Sequence, residues 1–514
     1  VNQKSATPKD ASAVILIKDG KVLWAQRNPN LKFLGGWHAF PGGKTENSDA
    51  EIEVRNCKDK ELERFIVSAV RECFEEVGVL LVRNGEKLTK GQRASLHDDL
   101  ISGRSSFKEI LDHWGLWIDA EDFVYTGFWT TPQFSPVRFK TRFFIANCPE
   151  KQTPYAAITE LQDIEFITPK DALERWKNSD VLISPPVLIS LQVLAEEENL
   201  ATDEHELTPI KTDSETKDQR PKTKDQILRE KSENLDGIIA YLELNPHIIV
   251  FPLRTETLPP ATHTNCFIVG NKEFIVIDAA SKDETELAKL FELLDAMIEN
   301  GAICKEIIVS HLHPDHFGGE TILQKHLKEK FGLEIAISAH KITAESLTGK
   351  VEFQKFIADE QIFTLKDKNG ESFEIKALHT PGHARGHLCF YDESKRFLLS
   401  SDNVIATGSV VIAPPEGNLV DYLASLERMK NLPNLRFLCG SHGSAIFNGK
   451  AKIEEYISHR LEREKQIVGA IESGAKTPSE IVAKVYVGLD EKLVRLAEKS
   501  VEAHLEKLTA DGRI

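Results

Sequence analysis

Two clusters of side chains in this sequence have the types and spacing of chemistry. Residues 311–316 read His-Leu-His-Pro-Asp-His, three imidazoles and one carboxylate within six positions. They follow an apolar strand-like run, Glu306–Ser310, so they splay from a tight loop at a strand's C-terminal end and can address two metal ions. Imidazole with carboxylate suits Zn²⁺, with iron or manganese as alternatives. Three later motifs offer further ligands in order: His383 in TPGHARGH, Asp402 in LLSSDN and His442 in GSHG. The second cluster is Glu72, Glu75 and Glu76 in the run Arg71–Val79. On a helix these stand at i, i+3 and i+4 and share one face. Three carboxylates so placed repel one another unless a cation sits among them, and a hard ion, Mg²⁺ or Mn²⁺, is the natural occupant. Arg71 can brace them and Gly78 ends the helix. The plain alternative is a solvated acidic face. Arg138, Lys140 and Arg142 alternate along a strand-like run, which makes one face of them, either turned to phosphate or lying on a solvated edge.

These clusters need elements to hold them. SAVILI and KVLWAQ, joined by KDG, read as a hairpin, and the first block ends in helical patterns, DALERWKNSD and PPVLISLQVLAEEENL. Residues 203–231 are dominated by charge, Thr and Pro, and read as a solvated linker with a short helix near its end. Beyond it, NCFIVG and EFIVID open a second block in which helical and strand patterns alternate, a mixed sheet covered by helices. From about Leu461 the pattern is helical only, with TPSE at Thr477–Glu480 as a capping-box start. The expected division is 1–202, linker 203–231, 232–458 and tail 459–514.

Arg71–Val79 resembles the signature of the Nudix hydrolases, G-x5-E-x7-R-E-U-x-E-E-x-G-U, with Cys73 in the first aliphatic place. Glu63 stands eight residues before Arg71, and AFPGG at Ala39–Gly43 resembles the usual approach. Gly43 to Glu63 is 20 positions, so about 14 residues are inserted ahead of the helix relative to the signature. The resemblance implies an α/β/α sandwich in which Glu72, Glu75 and Glu76 hold the metal and do catalysis, Glu63 and Arg71 support them, and water attacks a pyrophosphate phosphorus. FPGG, the insertion and the basic strand are similar to the coenzyme A diphosphatase branch, which makes Arg138 and Arg142 candidates for substrate contact.

The ordered set His311, His313, Asp315, His316, His383, Asp402, His442 resembles the metallo-β-lactamase-fold superfamily. That implies an αββα fold with two Zn²⁺: His311, His313 and His383 on one, Asp315, His316 and His442 on the other, Asp402 bridging and Asp278 supporting from behind. Asp315 is the implied catalytic carboxylate, and Ser401 stands where the family usually has Gly. THTNCFIVG, NLVDYLASLERMKNL and AKIEEYISHRLEREKQIVGAI are similar to the lactamase-beta-2-like endoribonucleases, whose tail is a winged helix. His387 is a candidate substrate-side group, with a supporting role as the alternative.

Over 514 residues, 64 Lys+Arg against 80 Asp+Glu give a net charge of −16, so the molecule as a whole repels nucleic acid. The tail from His459 balances ten Lys/Arg against ten Asp/Glu, which does not favour duplex DNA. Seven cysteines without CxxC spacing argue against a disulfide framework and for a reducing, cytoplasmic setting. No apolar run is long enough for a membrane helix, and VNQKSATPKDAS lacks the core of a secretory signal. The whole reads as an α/β plus α+β multidomain hydrolase. One site is a pyrophosphohydrolase for a small phosphorylated, coenzyme A-like substrate, and the other a dinuclear-zinc hydrolase of RNA phosphodiesters, single-stranded RNA being its partner. The alternatives are a thioesterase at the second site, or a Nudix sensor regulating a nucleic-acid-binding tail. A homodimer is one way of bringing the two heads together.

Overall fold

The N-terminal hairpin turns at Asp19 and Gly20, both with positive φ, as a two-residue turn between right-twisted strands requires. The computed structural model describes residues 6–31, 34–133, 135, 137–196, 222–406 and 409–514. They divide into two compact units, meeting between Ala240 and Tyr241.

In the first unit, strands β1 (Lys9–Lys18), β2 (Lys21–Arg27), β3 (Trp37–Ala39), β4 (Gly42–Lys44), β5 (Val124–Thr130), β6 (Phe139–Asn147), β7 (Leu161–Ile167) and β8 (Leu182–Ile183) form one eight-stranded sheet. Its order is β8-β3-β2-β1-β6-β5, with β4 paired to β1 and β7 to β2. Alternate residues face opposite sides. Val14, Leu16, Leu23 and Ala25 pack with Phe65, Ile66, Ala69, Val70 and Phe74 of helix α1 (Lys60–Val77). Ile15, Val22 and Trp24 pack with Val187, Leu188 and Leu191 of α2 (Pro185–Ala195) and Leu228 of α3 (Lys224–Asn234). The result is a helix–sheet–helix sandwich. Helix α1 starts where the Asp59 side chain accepts the Glu61 N–H, and it stops at Gly78, whose φ of 67° suits an achiral residue.

The boundary expected after residue 231 falls inside α3. Ser232 anchors this helix to β5, its Oγ accepting the Phe128 N–H at 2.9 Å and donating to the Phe128 carbonyl at 2.8 Å. The last part of the charged stretch is therefore ordered and belongs to the first unit, while residues 203–221 of the expected linker lie outside the described residues.

The second unit has two sheets. Strands β9 (Leu242–Asn245), β10 (Ile248–Arg254), β11 (His263–Gly270), β12 (Glu273–Ile277), β13 (Ile303–Val309), β14 (Ile337–His340) and β15 (Lys355–Ile357) follow one another in a seven-stranded sheet. Strands β16 (Ile362–Lys366), β17 (Ser372–His379), β18 (Leu388–Asp392), β19 (Phe397–Ser401) and β20 (Phe437–Gly440) form a five-stranded one. Helices α4 (Glu284–Glu299) and α5 (Glu320–Phe331) bury Leu287, Leu290, Leu323 and Leu327 against Ile268, Phe274 and Ile307 of the first sheet. Helices α6 (Leu419–Lys430) and α7 (Gly449–Glu472) bury Tyr422, Leu426, Met429 and Ile453 against Cys389, Tyr391 and Leu398 of the second. The alternate residues Phe267, Ile275, Ala377, Phe390 and Leu399 are equally buried, as the inner faces of an αββα sandwich must be.

The expected tail boundary at 458/459 also lies inside a helix, since α7 runs unbroken to Glu472. Helices α8 (Pro478–Val485) and α9 (Glu491–Ala510) close a separate small core with it, centred on Ile467, Ile481, Val501 and Leu508. Among the described residues no helix is long and apolar enough to cross a membrane.

His504 of α9 is 1% exposed, and neither ring nitrogen has a partner. Burial, reinforced by Arg460, Arg463 and Lys507, lowers its pKa to about 3. The unfolded chain takes up a proton near pH 6.5 that the folded chain refuses, so stability is present above that pH and is lost as pH falls toward 3. Between pH 7.5 and 5 this one group should cost about 2 kcal/mol. Denaturant unfolding of wild type and His504→Leu at both pH values checks it: the variant should lose less on acidification, and parallel losses would exclude His504 as the cause.

Candidate metal centres

The second unit gathers its ligands at the C-terminal ends of β12, β13, β17, β19 and β20. His311, His313 and His383 place ligand atoms within 4.8 Å of one another, and so do Asp315, His316 and His442, and His311, His316 and Asp402. The Asp402 carboxylate spans the two trios: Oδ1 lies 3.5 Å from His316 Nε2 and 3.4 Å from His442 Nε2, and Oδ2 lies 3.6 Å from His383 Nε2.

Three of the five ligand rings are oriented from behind. His383 Nδ1 donates to the Val411 carbonyl at 2.9 Å, His442 Nδ1 to the His263 carbonyl at 2.8 Å, and His316 Nδ1 to Asp278 Oδ2 at 2.8 Å. These back contacts fix the tautomer that leaves a lone pair on each forward Nε2. His316 Nε2, His383 Nε2 and Asp402 Oδ1 are buried with no hydrogen-bond partner. Buried polar atoms without partners call for a ligand, and a divalent cation fits this imidazole–carboxylate donor set. Asp278, fully buried at the end of β12, also accepts the Ser310 N–H and the Ser310 hydroxyl, both at 2.7 Å.

Electrostatics follow from burial and mixture. Burial and the neighbouring imidazoles push His311 well below its usual pKa, and burial with His313 takes His383 to about 3. Burial works against the His316 proton too, yet Asp402, Asp315 and Asp278 hold its pKa well above the ordinary value. Asp402 is held well below the carboxylate range by His442 and His316 despite its burial.

Two further residues singled out in the sequence lie behind Asp402. His387, read there as substrate-side or supporting, is fully buried, its Nε2 accepts the Asp402 N–H at 3.2 Å, and its Nδ1 meets the Thr380 hydroxyl at 3.0 Å. It supports Asp402 from behind. Ser401 has φ 44°, in a bulge before the Asp402 turn, a conformation that suits the family's glycine. Its hydroxyl compensates, lying 2.8 Å from Ser310 Oγ and 3.2 Å from Ser441 Oγ, which ties the ends of three strands together.

In the first unit α1 presents Glu72, Glu75 and Glu76 toward β4. Arg71, 4% exposed, donates through Nη1 to Glu72 at 2.9 Å and Glu75 at 3.0 Å, while Gly42 N–H donates to Glu76 at 2.8 Å. Strand β4 is closely approached on two sides: a Cβ on Gly42 would lie 2.3 Å from the Ser12 carbonyl oxygen of β1, and one on Gly43 2.4 Å from the Glu72 carboxylate of α1. Burial raises the Glu76 pKa to about 8 against the pull of Gly42 N–H and Arg27, and that of Glu72 to about 7 against the pull of Arg71. Among the described residues these glutamates do not converge as tightly as the second unit's trios, because Arg71 holds two of them. As buried, oxygen-only donors with raised pKa values they fit a hard divalent ion.

The expected partner of Arg71 is corrected. Glu63 pairs instead with Lys60 at 2.6 Å on the surface. Asp49, 1% exposed, takes Arg71 Nε at 2.8 Å and Nη2 at 3.1 Å. It stands six positions after Gly43, the place of the signature's first acid, so the extra residues follow that acid rather than precede it. Counting forward from Gly43 instead of back from Arg71 would have found it. Neither arginine of the basic strand reaches the carboxylates. Arg142 stacks 3.6 Å from the Phe65 ring centroid, about 10 Å along α1 from Glu72. Arg138 donates to the Thr131 carbonyl at 2.9 Å and the Ala6 carbonyl at 3.0 Å.

With this geometry in hand, the likeness to known proteins is informative. The family model of the metallo-β-lactamase superfamily matches residues 259–442, that of the NUDT19 Nudix domain 59–194, and that of the β-lactamase-associated winged helix domain 477–514. The chain joins a Nudix domain to a metallo-β-lactamase-fold domain followed by a winged helix, and it is a hydrolytic enzyme. Among its relatives is an atrochrysone carboxyl ACP thioesterase of Pseudocercospora fijiensis, 28% identical over 302 residues, 56% of this chain and 83% of the relative. The lactamase-like protein adaB of Aspergillus niger is 29% identical over 49% of this chain and 76% of its own length. The β-lactamase-like protein 2 homolog of Caenorhabditis elegans is 26% identical over 48% of this chain and 79% of its own.

Substitutions at three positions test the supports. Asp49→Ala leaves the buried Arg71 charge short of its main partner and should destabilise by about 3–5 kcal/mol, whereas Glu63→Ala at a surface pair should cost about 1 kcal/mol or less. The opposite order in denaturant unfolding would return the supporting role to Glu63. Ser401→Ala keeps the backbone strain and loses the hydroxyl contacts, so it should be about 1 kcal/mol less stable than Ser401→Gly. Equal stability would show that Ser401 is not strained.

Proposed function

We propose that the chain is a bifunctional metallohydrolase whose Nudix site, with Mg²⁺ or Mn²⁺, cleaves the pyrophosphate of a coenzyme A-like nucleoside diphosphate derivative. Its second site, with two Zn²⁺, hydrolyses a thioester. A coenzyme A thioester carries both bonds, which gives the fusion a chemical logic. When bound, the ions supply Lewis acidity and lower the pKa of water. The chain's residues do the rest. His311, His313 and His383 form one ligand set, Asp315, His316 and His442 the other, and Asp402 joins them. Asp278 and His387 hold these groups from behind, and Asp315 is assigned to proton transfer beside the attacked carbon. In the Nudix domain Glu72, Glu75 and Glu76 are the ligands, and Arg71 with Gly42 N–H sets their orientation.

The choice of thioester over RNA rests on relatives: atrochrysone carboxyl ACP thioesterases of Pseudocercospora fijiensis and Aspergillus chevalieri match this chain at 28% and 29% identity. The acidic balance of −16 supports the same choice, since a phosphodiester chain needs cations for its phosphates, whereas a thioester is neutral at the reacting centre. The seven free thiols, six of them buried, support a reducing compartment.

A substrate panel on metal-analysed protein tests this. Asp402→Ala should lose at least 100-fold in thiol release from a pantetheine thioester and keep pyrophosphate cleavage, and Glu76→Gln should do the reverse. RNA cleavage that disappears in His311→Ala/His313→Ala, with no thiol release from wild type, would replace the thioesterase assignment.

A further inference from the structure

We propose that Arg460, on the helix that leads into the winged-helix tail, is a positioning residue for the second metal centre. It clamps the backbone on both sides of residues 407–408 and so fixes the separation of Asp402 and His383. The proposal rests on the assignment of those two residues as metal ligands.

Arg460 is 4% exposed and donates through Nη2 to the Val410 carbonyl, one residue before the Val411 carbonyl that orients His383. Its guanidinium also lies over the Tyr422 ring, 5.3 Å from the centroid. Tyr422 in turn donates to the Asn403 carbonyl at 2.7 Å, one residue after Asp402, and the Asn403 side chain donates to the Thr380 carbonyl at 2.9 Å. One turn before Arg460 on α7, Tyr456 brackets the next backbone unit, accepting the Ile405 N–H at 3.3 Å and donating to the Ile405 carbonyl at 3.1 Å. The other side of Tyr422 presses on the His383 loop: a Cβ at Gly382 would lie 2.2 Å from Tyr422 Cα.

One buried guanidinium thus holds the segment that sets His383 directly, and through the Tyr422 ring it supports the segment that sets Asp402. Arg460 Nε is buried without a partner, so the residue is not optimised for its own solvation. A leucine or methionine would fill a helix–helix contact at lower cost. What the arginine adds is a planar cation that donates to a carbonyl on one segment and lies on the aromatic ring that anchors the other. Ligands aimed by backbone need that backbone held, and removal of such outer supports typically costs 10–100-fold in metal affinity.

The test measures Zn²⁺ retained by the full chain after equilibration with graded chelator, with Asp402→Ala defining the second site's share. Arg460→Met should release that zinc at roughly 10–100-fold lower chelator activity than wild type. Arg460→Lys, which can still reach the Val410 carbonyl, should recover part of the loss. If Arg460→Met does not fold, Tyr422→Phe decides, since it keeps the ring under Arg460 but removes the hydroxyl that carries the support to the Asn403 carbonyl, and it should still weaken retention. Zinc retention equal to wild type in the folded variant overturns the proposal. Equal zinc in wild type and Asp402→Ala would instead overturn the metal assignment on which it stands.

Discussion

Carboxylates buried side by side repel, and the rest of both sites is arranged around how that repulsion is answered. In the Nudix domain the answer is one arginine. Arg71 touches Asp49, Glu72 and Glu75 at once, and with Glu76 held on the Gly42 N–H the acidic face can be packed against a strand. In the metallo-β-lactamase-fold domain imidazoles answer it. His316 and His442 face Asp402 and hold its pKa below the carboxylate range, and the three carboxylates around His316 offset the cost of burying positive charge there, whether on a proton or on an ion. Both arrangements leave carboxylate or imidazole atoms wanting a cation, which is what distinguishes a metal site from a structural ion-pair cluster.

Such crowding is possible only where the backbone approaches closely or turns sharply. Gly43 lets β4 lie against the α1 carboxylates, and Gly42 lets it lie against β1. Asp278 and Ser401 both sit at positive φ just past or at the end of a strand, where the chain must break from the sheet to aim a side chain into the site. The serine network through Ser310, Ser401 and Ser441 then links strand ends from both sheets. Fold and site are thus one problem: the strands supply rigidity, and a few unusual residues at their ends supply direction.

Most of this was legible because ligands are recognisable by type and order. The seven residues from His311 to His442, and the three glutamates of α1, could be listed without knowing any distance. What stayed hidden were residues whose role depends on who approaches from elsewhere. Asp49 is unremarkable in ENSDAE until the chain folds it under Arg71, and Glu63 has the right spacing from Arg71 but a surface position on α1. His387 lies four residues from His383 and so invites a forward role, yet strand β18 turns it behind Asp402. The domain limits failed for a related reason. Composition marks solvation, not helix continuity, so a charged helix docked through Ser232 and a long α7 that serves two cores both cross boundaries drawn from polarity.

In the tail, where ten cations balance ten acids, several of the cations are engaged in internal contacts. Arg460 is buried against the catalytic domain, Arg463 lies 4.1 Å from the Tyr486 ring centroid while donating to the Val485 carbonyl, and Lys507 and Arg513 both bind the buried Glu464. Guanidinium and ammonium groups engaged in this way are not available to track a phosphate backbone. Four of the ten cations counted from His459 are engaged in this way, and Lys507 and Arg513 hold the last helix against the long helix that carries Arg460. In holding that helix the tail needs no net charge, because what it contributes to the enzyme is the geometry of the Asp402 and His383 backbone.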